Sequence, residues 1–460
     1  MSISKLLSAL ALGACVAVPA AAQESLIDVY RRALENDPTV RQAEATYLAN
    51  AQAKPIARSA LLPTLNLSSN LRNQFSDSKG GVERPGGAIV GGDRNITDSD
   101  SDGWGVSLTQ TLFDWGNFAT LRQADKIVAR AETQYATAQQ DLMIRVATRY
   151  FNVLGAEDNL ASAVAQREAV ARQLEQSQRR FEVGLIAITD VQVSQAGYDE
   201  AVALEIEAQR ALATSHEFLR EIIGEILTDL ASPTEDLPLL SPDPANAEEW
   251  VRTALQQNLL LVTSRLSTEI ALDDIAIQRS NRLPTLSLSA QYNESTNERS
   301  SVSIDNGVRT PGFPSTTRPD GRNWTLDLRF PLFTGGLNRA RIQQTVYQHR
   351  SAQEQLEQIA RQTERQTRDA YLGVISEISR VRALRQAVES SRTALRATEA
   401  GFEVGTQTAV DVLQSQNLLR RSETAYSQSR YEYLLNILLL KQAAGTLDED
   451  DITQVDGWLQ

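Results

Sequence analysis

The side chains best able to do chemistry in this sequence are carboxylates, and they come in two runs. Asp98-Ser-Asp-Ser-Asp-Gly103 spaces three carboxylates as the first half of a calcium loop does, but its twelfth position is Thr109, where a bidentate Glu is needed. The run also leads straight into an alternating apolar pattern at Trp104, so it reads as a solvated outer loop. Asp448-Glu-Asp-Asp451 reads likewise as an exposed acidic stretch. Of the two histidines, His216 is followed by Glu217 but lacks the second His of a zinc-protease helix, and His349 lies in a polar helical context. No phosphate loop, dinucleotide fingerprint or nucleophile elbow occurs. These residues ask for no metal and no cofactor, and they do not make an enzyme.

The elements that hold such side chains must be long. Only 24 Gly and 14 Pro interrupt 460 residues, below ordinary usage of about 7% and 5%. A net charge of -13 has the wrong sign for coating nucleic acid, so no nucleic-acid partner is expected. The chain opens with Lys5, an apolar run from Leu6 to Val18 and then Pro19-Ala-Ala-Ala-Gln23, the pattern of a secretory signal cleaved after Ala22. Leu12-Gly13-Ala14-Cys15 loosely fits an acylation box instead, but the Ala-x-Ala site is the better match. Cys15, the one cysteine, leaves with the signal, and the mature chain has no disulfide. No later stretch offers the roughly eighteen apolar residues of a membrane helix. Such an exported chain is periplasmic, secreted or part of an outer-membrane barrel.

The sequence repeats itself. Leu62-Pro-Thr-Leu-Asn-Leu-Ser68 matches Leu283-Pro-Thr-Leu-Ser-Leu-Ser289, and Phe181-Glu-Val-Gly184 matches Phe402-Glu-Val-Gly405, both at an offset of 221; Asp190-Val191 and Asp411-Val412 keep the same offset, as do Gly224 and Gly445. Leu112-Phe113 followed by Gly116 recurs as Leu332-Phe333 followed by Gly336 at an offset of 220, and an offset so nearly constant means duplication. The organisation read from this is a signal over 1–22, a first repeat over 23–224, a Pro-rich connection over 225–246, a second repeat over 247–445 and an acidic C-terminal segment over 446–460. Each repeat is expected to run helix, strand, strand, long helix, turn, helix. The long helices are expected over 117–180 and 338–401, each about 96 Å, and the shorter ones over about 25–60 and 190–223. Leu121, Ala124, Val128, Ala131, Tyr135, Ala138 and Leu142 step by threes and fours, the seam of a left-handed coiled coil.

The strands alternate. Trp324, Leu326, Leu328 and Phe330 interleave with Thr325, Asp327 and Arg329, and Leu286, Leu288, Ala290 and Tyr292 interleave with Ser287, Ser289 and Gln291. Trp104, Trp324 and Tyr292 are expected toward strand ends, and the segments 77–102 and 298–322, rich in Gly, Ser, Pro and Asp, are expected as outer loops. Alternation also suits a half-buried sheet in a soluble protein, but in an exported chain it fits a barrel wall better. Four strands cannot close a barrel, so the barrel must be shared between chains.

At the paired Leu-Pro-Thr-Leu strand starts, the Arg180-Phe-Glu-Val-Gly-Leu185 and Ile188-Thr-Asp-Val191 turn, and the Ala400-Gly-Phe-Glu-Val-Gly-Thr406 turn with Val410-Asp-Val412, the sequence resembles the TolC family of outer-membrane efflux proteins, from Leu26 to about Leu447. The resemblance implies a mainly α fold with a β-barrel portion: a homotrimer whose twelve-stranded outer-membrane barrel, four strands per chain, continues as a twelve-helix periplasmic tunnel. It implies a passive exit duct of a tripartite system for type I secretion or multidrug efflux, its partners being outer-membrane lipid, a periplasmic adaptor (membrane fusion) protein and an inner-membrane pump of the ABC or RND type. Val183, Gly184, Leu185, Val404, Gly405 and Thr406 would be the tips gripped by the adaptor. Thr189, Asp190 and Asp411 would stand at the closed periplasmic entrance, together with Phe402, Gln407 and Gln414, where other members carry Tyr, Arg and a second Asp. A trimer would repeat Asp411 as a ring; at about 6 Å and an effective dielectric of about 20 each pair repels by roughly 3 kcal/mol, which raises proton affinity and attracts cations. The alternative without transport is a periplasmic or surface coiled-coil structural protein.

Overall fold

The computed structural model describes residues 23–83, 89–227, 229–234, 237–305 and 307–459. The expected signal segment, Cys15 included, lies outside the described residues. The first repeat contains α1 (Leu26–Asn36), α2 (Pro38–Ala51), α3 (Ala53–Ser59), β1 (Thr64–Glu83), β2 (Ile89–Phe113), α4 (Trp115–Glu182) and α5 (Ile188–Ile223). The second contains α6 (Ala247–Gln257), α7 (Leu259–Ser280), β3 (Thr285–Asp305), β4 (Val308–Pro311), β5 (Ser315–Thr317), β6 (Asp320–Arg329), α8 (Leu337–Glu403) and α9 (Ala409–Ala444), followed by α10 (Glu449–Asp456). Two compact units divide these elements. One is drawn from the chain up to Ala43, from Ala136–Leu259 and from Arg361 onward; the other comprises Glu44–Tyr135 and Leu260–Ala360.

The second of these units carries the sheet, ordered β1-β2-β3 with β6 on the far side of β3, all antiparallel. Register sorts the side chains by face. Leu67 opposes Val106, which opposes Tyr292, and Leu65, Leu108, Ala290 and Trp324 form the next row. The same face continues through the Leu288–Leu326 and Leu286–Leu328 pairs. The opposite face carries Asn66, Ser68, Ser107, Gly105, Gln291, Asn293, Asn323 and Thr325. In the single chain the apolar face is bare: Leu67 is 75% and Leu326 63% exposed. A sheet dry on one face and wet on the other is what a membrane barrel wall requires.

The strands outrun the expectation. Residues 94–102 and 298–305, expected as loop, are paired β-structure, Asp98 lying between Phe75 and Ser300 and Asp100 between Asn73 and Glu298. The acidic run is therefore mid-strand, where no calcium loop can form; Asn73 Nδ2 donates to Asp100 at 2.7 Å. Because backbone pairing on both sides satisfies every ladder group, polar composition does not end the strand. Trp104 and Tyr292, with rings 5.4 Å apart, and Trp324 within β6 consequently lie inside strands rather than at strand ends.

The helical unit holds the core: Tyr150, Leu154, Leu219, Ile223, Leu434, Leu438 and Ile452 are fully buried. The stretch between α5 and α6 is tied to it. Leu230 and Pro233 make isolated backbone bridges to Glu24 and Leu459, Tyr150 Oη lies 2.7 Å from the Ala231 carbonyl, and the Leu240 N–H donates to Tyr433 Oη at 2.7 Å. Burial pushes both tyrosine hydroxyls up from their ordinary pKa.

Two further expectations are corrected here. The single helix over 25–60 is three helices: Pro38 forces Asp37 out of the helical region to φ -66°, ψ 119° and so parts α1 from α2, and a turn at Gln52, which keeps helical angles, parts α2 from α3. Asp37 then caps α2, accepting from the N–H groups of Thr39 at 2.7 Å and Val40 at 3.0 Å, and pairs with Arg145 at 3.1 Å. The acidic run 448–451 is not simply exposed. Asp448 and Asp451 form a reciprocal capping box at the start of α10, and buried Asp451 is paired with Lys441. Burial still pushes the Asp451 carboxyl up.

Candidate gate and docking end

The residues singled out from the sequence gather at two helix turns of the helical unit, between α4 and α5 and between α8 and α9. Both turns close in the same way. At the first, Leu185 N–H donates to the Arg180 carbonyl at 2.9 Å and Gly184 N–H to Phe181 at 2.8 Å; at the second, Thr406 N–H donates to Gly401 at 2.8 Å and Gly405 N–H to Phe402 at 3.2 Å. These are the paired bonds of a helix C-terminus that ends on a left-handed residue, and Gly184 and Gly405 supply it at φ +75° and +81°. Nothing stands within 4 Å of where a Cβ would sit on either. Glycine is required there by its backbone angle, not by crowding.

Around each turn apolar side chains project into water. Val183 is 70% exposed, Leu185 68% and Val404 76%, and Thr406, Gln407 and Thr189 are exposed too. The two entrances into the following helices differ. Thr408 caps α9 in a capping box: its N–H and Oγ1 donate to Asp411 Oδ2 at 2.8 and 2.7 Å, and the Asp411 N–H returns a bond to Oγ1 at 3.3 Å. The bonds from the Thr408 backbone and hydroxyl hold the Asp411 carboxyl below its usual range. In the first repeat Ala187 occupies the cap position and makes no side-chain bond, so Asp190 lacks that clamp.

The candidate entrance residues do not form one cluster. Phe402 is buried against Ala409, Val412 and Leu395. Gln414 is exposed on α9. Gln407 folds back over its own turn, its Cγ occupying the space where a Cβ on Gly401 would come within 2.7 Å. Two contacts that the sequence reading had not singled out join the hairpins. Arg180 Nη1 donates to the Phe402 carbonyl at 2.9 Å with its guanidinium 4.9 Å from the Phe402 ring centre. Further along, α5 and α9 approach so closely that a Cβ on Gly197 would lie 2.9 Å from Leu413 Cδ2. Arg180 stood inside the quoted motif, and its repeat counterpart, Gly401, was the visible sign that the two turns are not equivalent.

The family model described as outer membrane efflux protein matches the chain twice, over residues 29–225 and 250–446. The chain belongs to this family. It is 37% identical over 437 residues to the outer membrane protein TolC of Vibrio cholerae, covering 95% of this chain and 94% of that protein. It is also 29% identical to the alkaline protease secretion protein AprF of Pseudomonas aeruginosa, covering 94% and 86%. Among solved structures, the outer membrane protein VceC of Vibrio cholerae shares the fold at a TM-score of 0.71, with 17% identity over 91% of this chain and 96% of that one. The protein is thus an export channel component of the outer membrane. Its family is one of ducts rather than of enzymes.

Proposed function

We propose that three copies close a twelve-stranded barrel and a twelve-helix tunnel, forming the passive exit duct of a tripartite machine that a periplasmic adaptor and an inner-membrane ABC or RND-type pump complete. One observation carries the reading. The wall is four strands wide, β4 and β5 lying beside β3 along the same side as β6; among the described residues its margins β1 and β6 are each paired on one side only, and its apolar face is bare. In lipid an unpaired edge leaves a row of backbone donors and acceptors unsatisfied, so the edges must meet those of other copies. Light scattering in detergent, corrected for bound detergent, is expected to give three copies; a stable monomer that keeps all its β-structure refutes the shared barrel.

Within this reading the exposed turns at Val183, Gly184 and Leu185 and at Val404, Gly405 and Thr406 are the adaptor's footings. Asp411, Asp190, Thr189, Phe402, Gln407 and Gln414 surround the closed entrance. The likeness to a protein named for alkaline protease secretion favours polypeptide cargo delivered by a type I exporter. Photocrosslinkers placed at Val183 and Val404 in cells should capture the adaptor, whereas the same probe at the exposed Leu272 of α7 should not. Equal capture at all three positions removes the docking assignment. The first 22 residues are assigned as a cleaved signal, which N-terminal sequencing of the mature protein tests by starting at Gln23.

A further inference from the structure

Where the helices meet the sheet, the two repeats share one joint and differ in its charge. Asn117 at the start of α4 donates through Nδ2 to the Ala60 carbonyl beyond α3 at 3.3 Å, and Asn338 at the start of α8 donates in the same way to the Asn281 carbonyl beyond α7 at 2.9 Å. Both partners keep the offset of 221. Around that joint the first repeat places Leu61, Phe118 and Thr120 where the second has Arg282, Arg339 and Arg341, and all three arginines are exposed. Arg58 and Arg279, equivalent to each other, lie in the last turns of α3 and α7, where the helix dipole favours a cation. Arg339 lies in the first turn of α8, where the dipole opposes one; Arg341 follows two residues later, and that turn contains no acid.

The surroundings supply no counter-charge. No Asp or Glu lies between Asp274 and Glu294, or between Asp327 and Glu354. Carboxylates of the flanking helices are engaged elsewhere: Asp273 with Lys126 at 2.8 Å, Asp125 with Lys54 at 2.7 Å, and Asp274 with Gln123 Nε2 at 2.6 Å. A chain of net charge -13 thus gathers cations at one end of its sheet. The apolar face ends at the same place: Leu286–Leu328 is its last row, Thr285–Arg329 closes the ladder, and Leu332 and Phe333, 85% and 87% exposed, lead on toward α8.

We propose that Arg282, Arg339 and Arg341 form a collar that binds the phosphates of anionic phospholipids in the periplasmic leaflet of the outer membrane. The inference rests on the reading of the protein as a trimeric duct, in which the helices leave the barrel on its periplasmic side. A lipid fits because the cations border directly on a bare apolar band: the band takes acyl chains, and a guanidinium takes phosphate through two parallel bonds. An anionic lipid fits because a zwitterionic headgroup brings its own cation and leaves the charge of the collar unbalanced. Arginine stems lie along apolar surface while the head reaches the phosphate level. Three copies would interleave three cationic joints with three apolar ones, the latter built around Trp115 and Phe118, 48% and 46% exposed.

The test is native mass spectrometry of the purified full-length trimer, stripped of lipid in detergent and offered phosphatidylglycerol or phosphatidylcholine with the same acyl chains. Wild type should retain phosphatidylglycerol in preference. A variant carrying Arg282→Gln, Arg339→Gln and Arg341→Gln should lose about tenfold of that preference while trimer melting stays unchanged. Arg350→Gln, exposed further along α8, should match wild type. Equal retention of the two lipids by the wild-type trimer, or an unchanged preference in the triple variant, overturns the collar; an unchanged preference together with an altered cation-to-anion ratio in planar-bilayer recordings would place the three side chains in the lumen instead. If the triple variant does not assemble, Arg339→Gln alone decides, and an unchanged preference again overturns the collar. A wild-type protein that forms no trimer overturns the duct itself, a result distinct from a trimer that shows no lipid preference.

Discussion

Gly224 and Gly445 end the last helix of each repeat at φ +83° and +78°, yet they are not equally replaceable. No atom stands within 4 Å of a Cβ on Gly224, whereas one on Gly445 would lie 2.4 Å from the Gln257 carbonyl oxygen. Gly224→Ala should therefore cost only the left-handed backbone, about 1 kcal/mol, while Gly445→Ala adds a backbone clash for a total of about 3 kcal/mol, a difference that thermal unfolding resolves. Asp411 gives a prediction of another kind. Its carboxyl is held low by Thr408, so its contribution to folding is present above the unfolded carboxylate value and is lost as pH falls through the lower folded one, below about pH 4. Within one chain this opposes the mutual repulsion expected of a ring. Cation preference in bilayer recordings should accordingly hold steady from pH 5 to 8, drop in Asp411→Asn and stay unchanged in Gln414→Ala. An Asp411→Asn channel with the wild-type ion ratio across that range would place the entrance charge elsewhere.

The break between α1 and α2 depends on one buried carboxylate. Burial opposes the ionisation of Asp37, but bonds from Thr39, Arg145 and the Val40 N–H outweigh it and hold the carboxyl low. Arg145→Ala should destabilise the helical unit by about 3 kcal/mol, because the buried charge keeps its desolvation cost and loses its partner, and the loss should shrink once acid protonates Asp37. A variant that unfolds like wild type at neutral pH would show the pair to be dispensable. At this scale the sequence was legible where pattern is local: the long helices lie within two residues of their expected bounds, and the capping glycines follow from the repeated Val-Gly motif. It misled where composition stood in for pairing. Ser99, Asp100 and Ser101 carry no strand signal of their own, and are strand because β1 and β3 hold them on both sides. Pro38 announced the break that the continuous-helix expectation passed over.

For the whole molecule the test lies at the free edges. With three copies, β1 of one must lie beside β6 of the next, so chains carrying both Leu67→Cys and Leu326→Cys should crosslink into dimers and trimers, while the single variants and a Ser107→Cys chain, altered on an inner strand, should stay monomeric on denaturing gels. A ladder from Ser107→Cys would contradict the strand order. The site was only half legible at this scale. The turns and their glycines are written in residues 181–184 and 402–405, but the bond from Arg180 to Phe402 joins positions 222 apart, and no local pattern announces a contact between a side chain and a distant carbonyl.

The near-constant offset of 221 bears on ancestry as well as architecture. A duplicated chain began with two interchangeable hairpins, and their present differences record which tasks have since parted. The second kept a capping threonine at 408 and a glycine at 401; the first carries alanine at 187 and arginine at 180. A complex of three such chains shows any docking partner six feet of two alternating kinds, so a partner made of six identical subunits must tolerate two different footholds, whereas one made of three can specialise on a single kind.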